Sequence, residues 1–431
     1  MSMIPDIESA APSDIKRFQE QKMQETLQYL SENSPYYKTL FANGNIDIHS
    51  IQTLEDLQHI PTTTKTDLQQ HNDDFFCVSR DQIIDYATTS GTLGDPVTFG
   101  LTDNDLNRLA YNEAISFSCA GIQKGDIVQL MTTMDRRFMA GLAYFLGLRK
   151  LGAGVIRVGA GIPELQWDSI LKYQPKYLIT VPSFLLKLIE FAENNQIDYN
   201  ASSVEGVICI GEPLRNQDFS PSLLAKKITD QWNVKLFSTY ASTEMSTAFT
   251  ECEFFHGGHQ HPELIITEVL DENEMPVQEG DSGELTITTL GVEGMPLLRF
   301  KTGDIVKLHN EACGCGRNTT RLGPVLGRKQ QMIKYKGTTL YPPAMHDLLS
   351  YFDEVENHVI EISTNDLGTD EILIKIAVKK EVDGFLESIK DHFRAKLRVT
   401  PKVELVSAEE LNKIIFTPTN RKPNRFIDKR A

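Results

Sequence analysis

The chain has 431 residues, 40% of them hydrophobic, and a formal net charge of -16. That length suits about two to three domains with sizeable cores, and that charge excludes non-specific binding to nucleic acid or to an anionic membrane surface. Met1 to Lys16 carries acids where a secretion signal needs basic residues, and no apolar run approaches the ~20 residues of a spanning helix, so a soluble, cytoplasmic protein is expected.

In chain order, Phe18, Met23, Leu27 and Leu30 recur at helical spacing and predict an amphipathic helix over Lys16 to Glu32. Thr53 to Leu57 and Pro61 to Leu68 read as short helical starts. Ile83 to Ala87 and Val97 to Leu101 read as strands flanking Thr88, Thr89, Ser90, Gly91, Thr92, Leu93, Gly94, Asp95 and Pro96. A glycine turn between strands exposes backbone N–H groups, and the hydroxyls of Thr89, Ser90 and Thr92 add donors suited to phosphate oxygens. Plain hairpin turns use the same residues for steric reasons, and the segment lacks both the Gly-Lys-Ser/Thr ending of a P-loop and the spaced glycines of a Rossmann turn.

Beyond it, Asp103 to Ala120, Phe138 to Leu151, Gln166 to Tyr173 and Ser183 to Asn194 read as helices. Strands are expected at Asp126 to Thr133, Val155 to Gly159, Tyr177 to Val181 and Gly206 to Gly211. This alternation implies a parallel sheet with crossover helices, in which ligands bind beyond the carboxyl ends of the strands. Two such ends carry polar segments: Gly211, Glu212, Pro213 after one strand, and Ala241, Ser242, Thr243, Glu244 after Leu236 to Tyr240. Taken singly, the first is a strand followed by a turn and the second a surface loop with one more acid. Further on stand Arg299, Phe300, Lys301, Thr302, Gly303, Asp304, then Gly327, Arg328, Lys329, Gln330. From Gln331 the pattern changes: strands at Val359 to Ser363, Glu371 to Val378 and Lys402 to Val406, with a helix from Gly384 to Leu397, suggest a separate α+β domain ending in the polar tail Pro418 to Arg425.

The segment at Thr88 to Pro96 resembles the phosphate-gripping Thr-Ser-Gly-Thr-x-Gly-x-Pro loop of adenylate-forming enzymes, the acyl-CoA and aryl-CoA synthetases. Four further segments follow in that family's order: Gly211-Glu212-Pro213, Tyr240 to Glu244, Arg299 to Asp304, and a tail whose Lys422 and Arg425 match a terminal Ser-Gly-Lys-x-x-Arg. The short N-terminal region, with Tyr36 to Phe41, and the Gly-Glu-Pro form look most like the phenylacetate-CoA ligase branch. The resemblance implies an α/β fold: a large domain over 1–326, a hinge near 327–331, and a small mobile α+β domain over 332–431.

By the same resemblance, Thr89, Ser90, Gly91, Thr92 and Gly94 grip ATP phosphates, and Gly211, Glu212 and Pro213 line the adenine. Tyr240, Ala241 and Ser242 border the base, Thr243 meets the phosphate and Glu244 ligates Mg2+. Asp304 accepts the ribose hydroxyls, Arg328 belongs to the hand-over segment, Lys336, Gly337 and Thr338 line the route of the coenzyme A thiol, and Lys422 is the catalytic lysine. The chain departs from the pattern at Ala241 and Arg421, where glycine is usual, and at Gln330, where Asp or Lys is usual.

The implied activity is AMP-forming activation of a carboxylic acid, aryl or arylacetic, with transfer to coenzyme A. Transfer to a carrier protein or an amine, and a non-catalytic nucleotide-binding relative, are the alternatives. Met131 to Met139 with Tyr144 and Phe145 are expected to wall the acid pocket, although such residues commonly serve as core. The implied partners are the acid, ATP and coenzyme A, with a homodimer left open.

Six cysteines in so long a chain do not make a disulfide framework. Cys252, His259, Cys313 and Cys315 supply three thiols and an imidazole, a set that suits zinc; small packed cysteines beside a glycine turn are the other reading. His256 and His261 are rival ligands. The branch often carries similar residues here, which implies a closed, structural Zn2+ site at Cys252, His259, Cys313 and Cys315.

Overall fold

A computed structural model describes residues 4–89, 96–335, 338–365, 370–380, 384–416 and 424–430. The chain divides into two compact units, Met1–Thr302 with Val306–Pro324, and Gly303–Ile305 with Val325–Ala431. The first opens with α1 (Asp6–Ser9), α2 (Pro12–Asn33), α3 (Pro35–Gly44) and α4 (Lys65–Gln70). α2 starts four residues earlier than the apolar spacing predicts because Pro12 fits the first helical turn, where no N–H is needed. It buries Ile15, Met23, Leu27 and Leu30 along one face. α4 is fixed by a reciprocal cap between Thr64 and Asp67. β1 (Asp85–Thr88) and β2 (Thr98–Leu101) then pair antiparallel, with Thr88 opposite Thr98.

The central elements follow as α5 (Asp103–Cys119), β3 (Ile127–Leu130), α6 (Met139–Leu151), β4 (Gly154–Arg157), α7 (Pro163–Tyr173), β5 (Tyr177–Thr180), α8 (Pro182–Asn194), β6 (Gly206–Ile210), α9 (Leu223–Thr229), β7 (Lys235–Ser242) and β8 (Thr247–Glu251). Next come β9 (Gly258–His259), β10 (Ile265–Leu270), β11 (Gly283–Thr289), β12 (Phe300–Val306), β13 (Leu308–His309) and β14 (Arg321–Leu322). One nine-stranded sheet has the order β13-β14-β9-β8-β7-β6-β5-β3-β4. From β4 to β7 its strands are parallel, and β5 is buried at every residue, as expected when helices cover both faces. The stacked Trp167 and Trp232, 5.5 Å apart, pack in the core with Leu185, Leu188 and Ile228.

The parallel pattern ends at β7, which the sequence suggests stops at Tyr240 before a surface loop. Instead β7 runs to Ser242, turns over Thr243 to Ser246 and returns as the antiparallel β8, whose five residues are all buried. A second sheet pairs β10 with β11 antiparallel, Ile265 opposite Thr289.

In the second unit, Asp304 and Ile305 of β12 pair with β15 (Gly327–Arg328). β16 (Ile333–Tyr335), β17 (Thr338–Leu340), α10 (Pro342–Leu349), β18 (Val355–Thr364), β19 (Asp370–Val378), α11 (Phe385–Leu397), β20 (Lys402–Leu405), α12 (Ala408–Ile415) and β21 (Phe426–Asp428) complete it. Its sheet has the order β20-β19-β18-β21. Ile360, Ile362 and Ile374 pack with Met345 of α10 and Phe393 of α11, while Val359 and Ala377 pack with Leu411 and Ile415 of α12. α10 and α12 are absent from the sequence expectations. They are eight residues each, too short for periodicity to separate from loop.

Candidate active site

The carboxyl ends of β6 and β7 lie side by side, because Ile210 stands opposite Thr239 in the parallel register. Gly211 leaves β6 at φ 77°, a left-handed conformation that a side chain would strain. Glu212 turns back to α8: its carboxylate accepts from the Ser183 N–H at 2.9 Å and the Ser183 hydroxyl at 2.8 Å. That carboxylate therefore caps a helix, leaving Gly211 and Pro213 as the exposed surface of this strand end.

On the neighbouring strand Tyr240 is half-buried, its ring 6.1 Å from that of Phe249. Ala241 is exposed, and Ser242 accepts from the Met245 N–H at 3.3 Å, shaping the turn. Thr243 and Glu244 occupy that turn, half-buried, and Glu244 has no ion-pair partner among the described residues. The turn is held from below by Arg108, whose guanidinium is fully buried. It donates to the carbonyls of Ser246 (2.6 Å), Leu264 (2.6 Å) and Leu290 (2.7 Å) and to the Thr247 hydroxyl (3.2 Å). Burial lowers the Arg108 pKa to about 10. Nothing in the spacing of α5 singles this residue out.

At the β1–β2 hairpin, the Thr88 N–H donates to the Arg137 carbonyl and the Thr89 N–H to the Val97 carbonyl, both at 3.0 Å. The Thr89 hydroxyl accepts from the Val97 N–H at 3.1 Å. The buried hydroxyls of Thr88 and Thr132 have no hydrogen-bond partner among the described residues. Ser90, Gly91, Thr92 and Gly94 lie outside the described residues, as do Lys336, Gly337, Arg421 and Lys422. In the second unit Asp304 is half-buried and meets the Arg328 guanidinium at 3.3 Å, across the β12–β15 pair. In α5 Glu113 is buried, with the Asn112 amide as its one hydrogen-bond partner among the described residues, and burial pushes its carboxyl up to about 8.

A second constellation lies in the same unit as the β6–β7 strand ends. The pairing of His259 with Arg321 brings the 313–317 turn onto the end of β8, and the ligand atoms of Cys252, His259, Cys313 and Cys315 all come within 4.8 Å of one another. Cys252 and Cys313 sulfurs are 3.5 Å apart, and Cys315 Sγ is 3.4 Å from His259 Nε2. A disulfide needs about 2.05 Å, so the thiols are free. Thr319 Oγ1 lies 3.0 Å from His259 Nδ1 and so fixes the ring with Nε2 toward the sulfurs. Hydrogen bonding to Cys252 and His259 drives the Cys315 thiol far down, and the same hydrogen bond between Cys252 and Cys315 pushes the Cys252 thiol up. A tetrahedral ion at about 2.3 Å from sulfur and about 2.0 Å from nitrogen would hold its ligands roughly 3.5–3.8 Å apart, which this set approaches.

The rival histidines are occupied elsewhere: His256 lies against the Phe219 ring at 5.5 Å, and His261 bonds to Glu8 and Ser116. Glu8 and Arg317, beside the cluster, are residues the sequence reading misses.

Residues 20–294 match the family model described as AMP-binding enzyme, and residues 337–430 match the AMP-binding enzyme C-terminal domain. With its sheet and crossover helices, the chain is an adenylate-forming CoA ligase. It is 30% identical over 427 residues to phenylacetate-coenzyme A ligase of Thermus thermophilus, covering 93% of this chain and 94% of that one. The Escherichia coli phenylacetate-coenzyme A ligase is 28% identical, covering 87% and 85%. The chain belongs to the phenylacetate-CoA ligase family of the adenylate-forming superfamily.

Among solved structures, 2-hydroxyisobutyryl-CoA ligase in the postadenylation state with 2-HIB-AMP matches with a TM-score of 0.85 at 24% identity, over 99% of this chain and 92% of that one. The same ligase with 2-HIB-AMP and CoA in the thioesterification state gives 0.71 at 25% identity, with the same coverage. No helix among the described residues is long and apolar enough to cross a membrane.

Proposed function

We propose that the chain activates an aryl or arylacetic acid with ATP and passes the acyl group to coenzyme A. The observation that carries this reading is the paired strand end, where Gly211 leaves β6 next to β7, whose end carries Tyr240 ahead of a turn bearing Thr243 and Glu244, in a chain that is 30% identical to a phenylacetate-coenzyme A ligase. The substrate carboxylate attacks the α-phosphate, pyrophosphate departs, and the thiol then displaces AMP. The chain's work in the first step is to hold phosphates in line and stabilise charge as it develops.

Each site residue has a part in this proposal. The loop from Thr89 through Ser90, Gly91, Thr92 and Gly94 grips the phosphates. Gly211, Glu212 and Pro213 border the adenine by their backbone, with Tyr240, Ala241 and Ser242 along the other side. Thr243 donates to the α-phosphate, and Asp304, oriented by Arg328, accepts the ribose hydroxyls. Magnesium, when bound at the Glu244 carboxylate, would offset phosphate charge. Lys422 meets the oxyanion. Domains over 1–326 and 332–431 would rotate about the 327–331 hinge before thioester formation, with Gly337 then lining the thiol's route. Acid-dependent exchange of pyrophosphate into ATP, run over a panel of carboxylic acids and then with coenzyme A, tests the reading. Exchange without thioester formation would leave the carrier-protein or amine acceptor, and no exchange with any acid would overturn it.

Cys252, His259, Cys313 and Cys315 are assigned to a structural zinc. Their donor set and spacing support it, and four protein ligands leave no open position for chemistry. In this reading the ion braces β8, and with it the far strand of the hairpin that carries Glu244.

A further inference from the structure

A chain of buried charged and polar side chains runs from the N-terminal segment to the four-donor centre. Glu8, in α1, is fully buried; its Oε2 accepts from Arg317 Nε at 2.6 Å, and its Oε1 lies 2.5 Å from His261 Nδ1. His261 Nε2 lies 2.9 Å from the Ser116 hydroxyl. Ser, His and Glu thus follow one another as in a hydrolytic triad, yet Ser116 and His261 are 0% exposed and no substrate could reach them. At the other end, Arg317 Nη1 donates to Cys315 Sγ at 3.6 Å, and Arg317 Nη2 is buried with no partner among the described residues. The backbone follows the same path. The Asn318 N–H donates to the Glu8 carbonyl at 2.8 Å, and its amide donates to the carbonyls of Ser9 and Ala10, both at 3.1 Å.

Three thiolates and a neutral imidazole around a divalent zinc carry a net charge of about -1, and a buried anion needs a fixed cation beside it. Arg317 sits between that anion and the Glu8 carboxylate, its planar fork shared by both. Without Glu8, the guanidinium loses the partner that aims it at sulfur. Without Arg317, both Glu8 and the thiolates lose a buried donor.

We propose that Glu8 and Arg317 are positioning residues for the metal centre, so that the segment Pro5 to Ala10 is a clasp that retains the ion. This rests on the zinc assignment above. Partners of metal ligands commonly contribute 10–100-fold to metal retention, and a hydrogen bond to a ligating sulfur changes its donor strength.

The test compares the full-length parent with Glu8→Gln, Arg317→Lys and, as a control at the far end of the chain of bonds, Ser116→Ala. Bound zinc is measured after purification without chelator, then the rate of transfer to a chromogenic chelator at a temperature where each protein is folded. The cobalt(II)-substituted proteins are examined for the sulfur-to-metal charge-transfer band. The expected result is about one zinc per parent chain, release about tenfold faster in Glu8→Gln and Arg317→Lys, a shifted cobalt band in both, and near-parent values in Ser116→Ala. If Glu8→Gln does not fold, Arg317→Lys, which keeps the charge and the stem, decides. A parent with zinc whose release and cobalt band are unchanged by these two substitutions overturns the clasp alone. A parent without zinc overturns the metal assignment and the clasp with it.

Discussion

Two polar regions of the first unit are built on opposite terms. Around the four-donor cluster, Glu8, His261 and Arg317 are at most 2% exposed, and every charge faces another side chain of the same protein. At the ends of β6 and β7, Tyr240, Thr243 and Glu244 are half-buried, Gly211 and Ala241 are exposed, and Glu244 has no described ionic partner. A polar group paired within the protein stabilises the fold, whereas one left facing solvent at a strand end is available to a ligand. Substitutions in the two regions should therefore fail differently: one set should lower activity with the fold intact, the other should lower stability with the chemistry intact.

The largest effect is expected at Lys422, proposed above to meet the oxyanion. Lys422→Ala should slow acyl-adenylate formation by on the order of 10²–10³, the usual cost of losing one charge-stabilising group, while sparing thioester formation from supplied acyl-adenylate. Single-turnover measurement of each half-reaction separates them, and equal loss in both would remove Lys422 from this role. At the four-donor cluster, Cys313→Ser should lose most bound metal and lower the unfolding midpoint. An ion at 100 times its dissociation constant contributes about 2.7 kcal/mol to the folded state. Adenylation measured below that midpoint should stay near the parent rate; a variant that keeps its midpoint but loses activity would merge the two regions.

Glu244→Gln should reduce adenylation at limiting magnesium by at least about tenfold, or 1.4 kcal/mol, with an unchanged unfolding midpoint. Parent-like rates across a magnesium titration would rule the carboxylate out as a metal contact. An effect on pH dependence alone is expected at Glu113, whose carboxyl burial pushes up from 4.5 to about 8. A raised folded pKa means that the native state holds the proton longer than the unfolded chain does. Its contribution is therefore full below about 4.5 and is lost as pH rises through about 8. Glu113→Gln, which mimics the protonated acid, should lose that part of the pH dependence and gain on the parent over this window, measured by denaturant unfolding at several pH values. Parallel profiles for the two proteins would mean that Glu113 is already ionised in the fold.

The places of these segments at the ends of β6 and β7 were legible because each segment is local. Gly211-Glu212-Pro213 and Tyr240 to Glu244 stand at strand ends, and strand ends follow from apolar runs and turns. The same locality is silent on the Glu212 carboxylate, which serves Ser183, 29 residues away, a contact that no spacing reveals. The hairpin back along β8 was missed for a related reason. Thr247 to Glu251 is buried on both faces, so it lacks the alternation that marks a half-buried strand. The four donors of the cluster could be named from chemistry, since thiols and imidazoles are few. Their supports could not, because Glu8 and Arg317 are 309 residues apart and each alone reads as an ordinary surface charge.

Arg108 carries a different kind of consequence. One guanidinium answers three carbonyls and a hydroxyl that belong to the β7–β8 turn, the approach to β10 and the end of β11. Those stretches share a single set of donors, so none can be rebuilt alone. A lysine there would offer three protons from one point instead of a fork, leaving an acceptor unanswered at a cost of about 1–3 kcal/mol. Diversification of this chain for new acids would then proceed in segments that Arg108 does not touch, and the turn bearing Glu244 would change last.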